Sequence, residues 1–500
     1  MLFNSPIYIF LFLPIAVLIY FLLNKHSNEA VGKGWLVLAS LFFYGYWNAN
    51  YLVLIIASML VNYAVGSLLR KQSGEERLEK RRKRILILGI VFNLSLLGYF
   101  KYADFFIENI NLFAETNIAS LDLILPLAIS FFTFQQIAYI VDCYKDITNE
   151  YDFLNYALFV TFFPQLIAGP IVHHKQMMPQ FVSQQNSLVN WENIALGVYI
   201  FFIGLLKKVV IADTFAEWAN VGFANTESLN FFDAWGASLS YTFQLYYDFS
   251  GYTDMAIGAA LLFNIRLPVN FNSPYKAVNI QDFWRRWHIT LSNWLRDYIY
   301  IPLGGSHASK FKIYRNIMLT FVLGGLWHGA GWTFILWGVL HGSALVIHRL
   351  WHKTRIKLPK VIAWFITFQF VNIAWIFFRA DSVSSALNMI RAMADVSNIS
   401  ISPTFHNLII YFSPIHLPKF SFVGDDSIFS ILTLEYILIF GASALLMPNS
   451  LQIIRFIPRK TKLGFRETPL FLALLVLMAS LSFLTFIGNA SQSEFLYFNF

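Results

Sequence analysis

Residues Ile7–Leu23 read IYIFLFLPIAVLIYFLL, and residues Ile85–Phe100 read ILILGIVFNLSLLGYF. Both runs are apolar on every face of a helix. Such runs recur along the chain at the roughly eighteen or more residues that carry a helix across about 30 Å of hydrocarbon. A membrane β-barrel would instead alternate apolar and polar residues over short segments, and these runs do not. Composition agrees, with 57% of the 500 residues apolar and 13% charged, against roughly 45–50% and about 25% in soluble domains. The fold class is therefore an all-α polytopic membrane protein. No Lys or Arg precedes Ile7 and no Ala-x-Ala site follows Leu23, so the first run reads as a retained transmembrane helix rather than a cleaved signal.

The formal charge of +8 records topology in a membrane protein rather than a nucleic-acid partner, and none is expected. The single cysteine, Cys143, cannot form an internal disulfide or a CxxC redox pair and reads as a small buried side chain.

Basic loops set the sidedness. Arg70–Arg84 holds eight Lys and Arg and should be cytoplasmic, as should the loop from Lys25 to Lys33, since the apolar segments Trp35–Tyr46 and Tyr51–Leu69 lie between them. The N-terminus is then extracytoplasmic. Lys353, Arg355, Lys357 and Lys360 mark a second cytoplasmic loop, and Arg455, Arg459, Lys460, Lys462 and Arg466 a third. Between them Val361–Phe378 exits and Ile428–Met447 returns, which leaves Ala380–Ser427 outside, with Ile399–Asp426 as an ordered excursion or amphipathic cap. Leu470–Ile487 then carries the tail, 489–500, to the extracytoplasmic side. Phe153–Ile171 contains Pro164, Gly169 and Pro170, so broken or re-entrant helices are expected there. The count is about eleven spanning helices, by length and apolarity, in one integral membrane domain over residues 1–500.

Chemistry concentrates in two places. Arg285, Arg286, Trp287 and His288 stand in a row within an aromatic and basic stretch. An interfacial belt accounts for most of that stretch, but paired guanidiniums beside indoles also suit a phosphorylated, adenine-bearing donor such as coenzyme A. The second place is Gly324–Trp332, GGLWHGAGW. A histidine in an apolar run is a functional hypothesis by default, and its glycines permit close backbone approach and a helix break. His328 can take up and return a hydroxyl proton near neutral pH; the competing reading is a helix-packing hydrogen bond. Asp248 and Asp254 read as structural partners of nearby arginines, or as groups orienting an imidazole. His341, His348 and His352 read as an interfacial polar row, because the further boxes of a histidine-ligated metal site are absent. No metal is expected.

Four stretches carry a resemblance: PQLIAGPI at 164–171, YDFSGYTD at 247–254, DFWRRWH at 282–288 and GLWHGA at 325–330. Together they closely resemble the membrane-bound O-acyltransferase superfamily, in the branch of bacterial polysaccharide O-acetyltransferases that act on alginate, peptidoglycan or cellulose. Teichoic acid D-alanyl transferase is a sister. The resemblance runs nearly end to end and implies a helical ring with re-entrant segments around a central cavity, in the bacterial cytoplasmic (inner) membrane. It implies that His328 is the catalytic base and that His288 positions or polarises the donor; Arg285, Arg286 and Trp287 are read as donor-binding from their own guanidinium and indole chemistry. The donor would be acetyl-CoA or a carrier-protein thioester, with no bound cofactor, and the acetyl group would pass to an extracytoplasmic acetyltransferase partner. The ending Phe495–Phe500, FLYFNF, resembles the Phe-x-Tyr-x-x-Phe terminus of the branch, which makes Tyr497 an acyl shuttle; read by itself it is an aromatic interfacial anchor. A D-alanyl transferase is the alternative within the class, and a transporter or flippase the alternative outside it.

The loop assignment is testable in intact cells. Single cysteines at Gly74 or Arg459, in a Cys143→Ala background, should be shielded from an impermeant thiol reagent, and one at Asp425 should react. Labelling at Gly74 from outside would invert the topology.

Overall fold

The computed structural model describes residues 1–69, 76–148, 152–401, 421–422, 428–454, 469–488 and 494–496. Among them, six helices are long and apolar enough to cross a membrane: Ile7–His26, Asn50–Leu68, Leu78–Ala114, Trp191–Ala224, Trp332–Thr354 and Lys360–Arg379. The protein is a multi-pass helical membrane protein. The only strand pairing among the described residues is a two-residue parallel contact of Ser400–Ile401 with Ser421–Phe422. Most of the proposed cap around it, the third basic loop, Gly74, Asp425 and Tyr497 lie outside the described residues.

Local sequence explains the helix irregularities. Pro14 cannot donate a backbone hydrogen bond, and the turns before it, Ile7–Phe12, are wound as a π-helix. The segment around Pro164 is broken as its composition suggests, with helix Phe153–Thr161 ending at Phe162 (ψ 104°) and a single turn, Phe163–Leu166, following. Residues Tyr156–Val172 of this non-continuous stretch are all buried, so protein rather than lipid surrounds the freed backbone groups. The basic stretch Arg70–Arg84 departs from the expected loop. Helix Glu76–Leu97 already includes its second half, because Lys, Arg and Glu are good helix formers whatever their charge.

The chain divides into two compact units. The first comprises Met1–Leu205, Tyr252–Val269 and Asn489–Phe500. Its helices are joined by buried side-chain hydrogen bonds, as expected where lipid removes the hydrophobic drive for helix association. Asn62 and Asn93 exchange amide hydrogen bonds of 3.1 and 2.7 Å, and Gln136 donates to Ser58 at 2.9 Å while accepting from the Tyr156 hydroxyl at 2.7 Å. An aromatic stack ties distant parts of the chain together. Phe3 lies parallel to Tyr252 at 4.9 Å, and Phe495, 1% exposed, meets Tyr252 edge-on at 4.3 Å.

The second unit comprises Leu206–Gly251 and Asn270–Gly488. It holds a buried charge cluster: Lys208 Nζ lies 2.7 Å from Asp248 Oδ1 and 2.8 Å from Asp213 Oδ1. Asp248 is thus held by a lysine one helix away, not by the arginines that its sequence neighbourhood suggested. The side chains of Lys208 and Asp248 are only 3% and 2% exposed, and removing one partner of such a pair costs about 3–5 kcal/mol. Lys208→Met should therefore lower the thermal midpoint of the detergent-solubilised protein, and Lys208→Met/Asp248→Leu should recover much of the loss. An unchanged midpoint in the single variant would show the cluster to be energetically idle.

Candidate active site

His328 ends the helix Lys310–His328, and a three-residue connection leads into Trp332–Thr354. The helix is longer than the apolar run Tyr314–Trp327 suggested, at 19 residues or about 28 Å. Two glycines bring the halves of this hairpin together. A Cβ on Gly325 would lie 2.3 Å from the Phe334 carbonyl oxygen, and one on Gly338 would lie 2.4 Å from that of Phe321. Glycine at both places lets the backbones touch, which sets His328 directly beneath the turn.

The His328 imidazole is 2% exposed and boxed by ring edges. Trp327 lies at 4.9 Å, Phe378 at 5.0 Å and Trp337 at 5.1 Å, all near perpendicular. These edge-to-face contacts restrict the rotation of the imidazole.

His288 comes from a separate piece of chain. It starts the short helix Ile289–Leu295 with φ at +42°, a left-handed conformation that few non-glycine residues adopt and that often marks functional positions. Asn270 secures this turn. Its carbonyl oxygen Oδ1 accepts from the Thr290 amide at 3.2 Å and the Thr290 hydroxyl at 2.9 Å, and lies 3.1 Å from His288 Nδ1. Its backbone oxygen accepts from the Ile289 amide at 3.0 Å. An amide oxygen only accepts, so His288 Nδ1 carries the proton and Nε2 keeps the lone pair in the neutral ring. Phe249 meets the ring perpendicularly at 4.8 Å.

The two histidines, forty residues apart in sequence, lie with ring centroids 6.4 Å apart. The pair sits in an aromatic enclosure where a proton can be held without competition from bulk water.

The neighbouring basic pair is divided. Arg285 is exposed, whereas Arg286 donates from Nε to Asp282 Oδ1 at 2.9 Å across one helical turn. Trp287 is 1% exposed, stacked on Phe283 at 5.8 Å and against Trp375 at 4.9 Å, so protein rings cover it. Asp254, 3% exposed, belongs to the first unit.

Two residues of this region were misread or missed in the sequence. His341, assigned to an interfacial row, is fully buried and accepts from Trp284 Nε1 at 3.2 Å; His348 and His352 further along the helix are partly or fully exposed. Asn270 carried no signal beyond its place in the alternating stretch VNFN at 269–272.

Comparison with known proteins gives consistent matches. The profile described as "MBOAT, membrane-bound O-acyltransferase family" matches residues 144–386. A peptidoglycan O-acetyltransferase of Helicobacter pylori is 47% identical, over 100% of this chain and 98% of its own length. A protein of Pseudomonas aeruginosa named probable alginate O-acetylase AlgI is 42% identical over 79% of this chain and 75% of its own length. A teichoic acid D-alanyltransferase of Bacillus subtilis is 31% identical over 50% of this chain and 67% of its own length.

Proposed function

The chain belongs to the membrane-bound O-acyltransferase family, and on that premise we propose that it O-acetylates a polysaccharide of the bacterial cell envelope. Peptidoglycan is the favoured acceptor, because the similarity to the peptidoglycan enzyme spans both chains nearly end to end, while that to the alginate protein stops at 79% of this chain. Similarity to the D-alanyl transferase covers half of this chain, which disfavours D-alanyl transfer. We read the finer architecture from the apolar runs, the break at Pro164 and the loop charges as about eleven spanning helices with re-entrant segments and both termini outside, and from the family as a ring around a central cavity in the cytoplasmic membrane.

The observation that carries the mechanism is the 6.4 Å approach of His288 and His328. His328 is the general base. It takes the proton of an attacking hydroxyl as the new ester bond forms at the thioester carbonyl, then returns that proton to the departing thiolate when the carbon–sulfur bond breaks. His288, with Nδ1 fixed by Asn270, positions the donor. Arg285 meets the donor's phosphates, Arg286 is steered by Asp282, and Trp287 backs the wall. The donor is a cytoplasmic acetyl thioester, acetyl-CoA or an acetylated carrier protein. The first acceptor is the hydroxyl of Tyr497, a phenyl ester being activated for onward transfer. An extracytoplasmic acetyltransferase partner then delivers the acetyl group to the polymer. Support for the tail's role is its sequence ending, FLYFNF.

His328→Ala should abolish O-acetylation, measured as acetylated muropeptides, while the protein accumulates normally; losing a general base costs about 10²–10⁴-fold. His288→Ala should be severe but less complete. Wild-type acetylation by an accumulating His328→Ala protein would refute the assignment.

Tyr497→Phe should insert normally and lose acetyl export, and intact-protein mass spectrometry of trapped wild type should find one acetyl group on Tyr497. Full export by the variant would reduce the tail to an anchor.

A further inference from the structure

His341 stands one indole away from His328. Trp337 meets His328 edge-on at 5.1 Å and lies 4.7 Å from His341. Trp284 completes a triangle of rings, 5.1 Å from His341 and 5.8 Å from Trp337. Packing alone would be satisfied by a phenyl ring at 341, and one directional contact distinguishes the imidazole. The indole N–H of Trp284 donates to His341 Nδ1 at 3.2 Å. Tryptophan can only donate, so Nδ1 is unprotonated and the neutral ring carries its proton on Nε2. A phenyl ring would leave the buried Trp284 N–H without this acceptor. Apolar rings can slide and rotate against one another, whereas a hydrogen bond fixes their relative orientation.

We propose that His341 is a positioning residue for the reaction: its hydrogen bond to Trp284 locks the orientation of Trp337, and Trp337 in turn holds the His328 imidazole. This rests on the reading of His328 as the base. The glycine-tight hairpin makes the coupling short, since Gly325 and Gly338 place the helices bearing His328 and His341 in backbone contact. Misplacing a catalytic group by about 1 Å can cost on the order of 10²-fold in rate. His341 therefore acts on turnover rather than on donor affinity.

The test uses the full chain in membrane vesicles, with acetyl transfer from acetyl-CoA in one arm and from an acetylated carrier protein in the other, each rate normalised to folded protein. His341→Phe should lower kcat by about 10- to 100-fold and leave the donor KM within about twofold. His341→Asn, whose side-chain oxygen can accept in place of Nδ1, should restore most of kcat. Trp284→Phe probes the same hydrogen bond from the donor side and should reproduce the kcat loss. In the residual transfer rate of a His328→Ala protein, about 10²–10⁴-fold below wild type, the His341→Phe loss should not add, because both act through one group. Wild-type kcat in His341→Phe and Trp284→Phe, a raised KM with kcat retained, an Asn variant no better than Phe, or fully additive losses would each overturn the proposal. Wild-type turnover in His328→Ala would instead overturn the base assignment itself, and the positioning role with it.

Discussion

The contact between Gly325 and Gly338 across the hairpin is the constraint from which the site's geometry follows. With Cβ positions only 2.3 and 2.4 Å from opposing carbonyl oxygens, any larger residue would push the helices apart. His328 lies three residues beyond Gly325, and Trp337 and His341 flank Gly338, so separating the helices would move all three rings together. The aromatic box around His328 is therefore a consequence of backbone approach before it is a consequence of ring stacking. The arrangement is also stiff, since close-packed interiors transmit small displacements rather than absorbing them.

Much of this was legible in the sequence, for identifiable reasons. Apolar runs such as Ile7–Leu23 fall within spanning helices because the bilayer demands length and apolarity and little else. His288 and His328 stood out because a histidine in an apolar or aromatic context carries a cost that needs a reason. His341 was obscured by the same kind of pattern. With His348 and His352 it falls on one helix face, and periodicity assigns a face but not the depth at which each residue of that face is buried. Only packing against Trp284, Trp337 and Trp375 makes the first of the three different.

Charge pairing was the least legible feature. Asp248 lies closer in sequence to Arg266, Arg285 and Arg286 than to Lys208, and its partner is nevertheless Lys208. Distance along a chain of packed helices is a poor guide to distance in space, because two helices can meet far from the turn that joins them. The basic stretch at Arg70–Arg84 misled in another way: charge reports which side of a membrane a segment occupies, not whether it is coiled or helical.

The Lys208 cluster also bears on how the protein is made. Lys208 emerges from the ribosome forty residues ahead of Asp248, so Trp191–Ala224 reaches the translocon with its ammonium lacking that counter-ion. A lysine at the centre of a lone inserting helix costs about 2.5–3.5 kcal/mol. Asp213, one turn onward on the same helix and 2.8 Å from Nζ, can neutralise part of that during the wait. Asp248, on the following helix Phe231–Leu261, supplies the second carboxylate at 2.7 Å. Both carboxylates that face Lys208 Nζ, Asp213 and Asp248, precede the histidine-bearing hairpin in the chain, so the charge cluster needs no later segment to be complete.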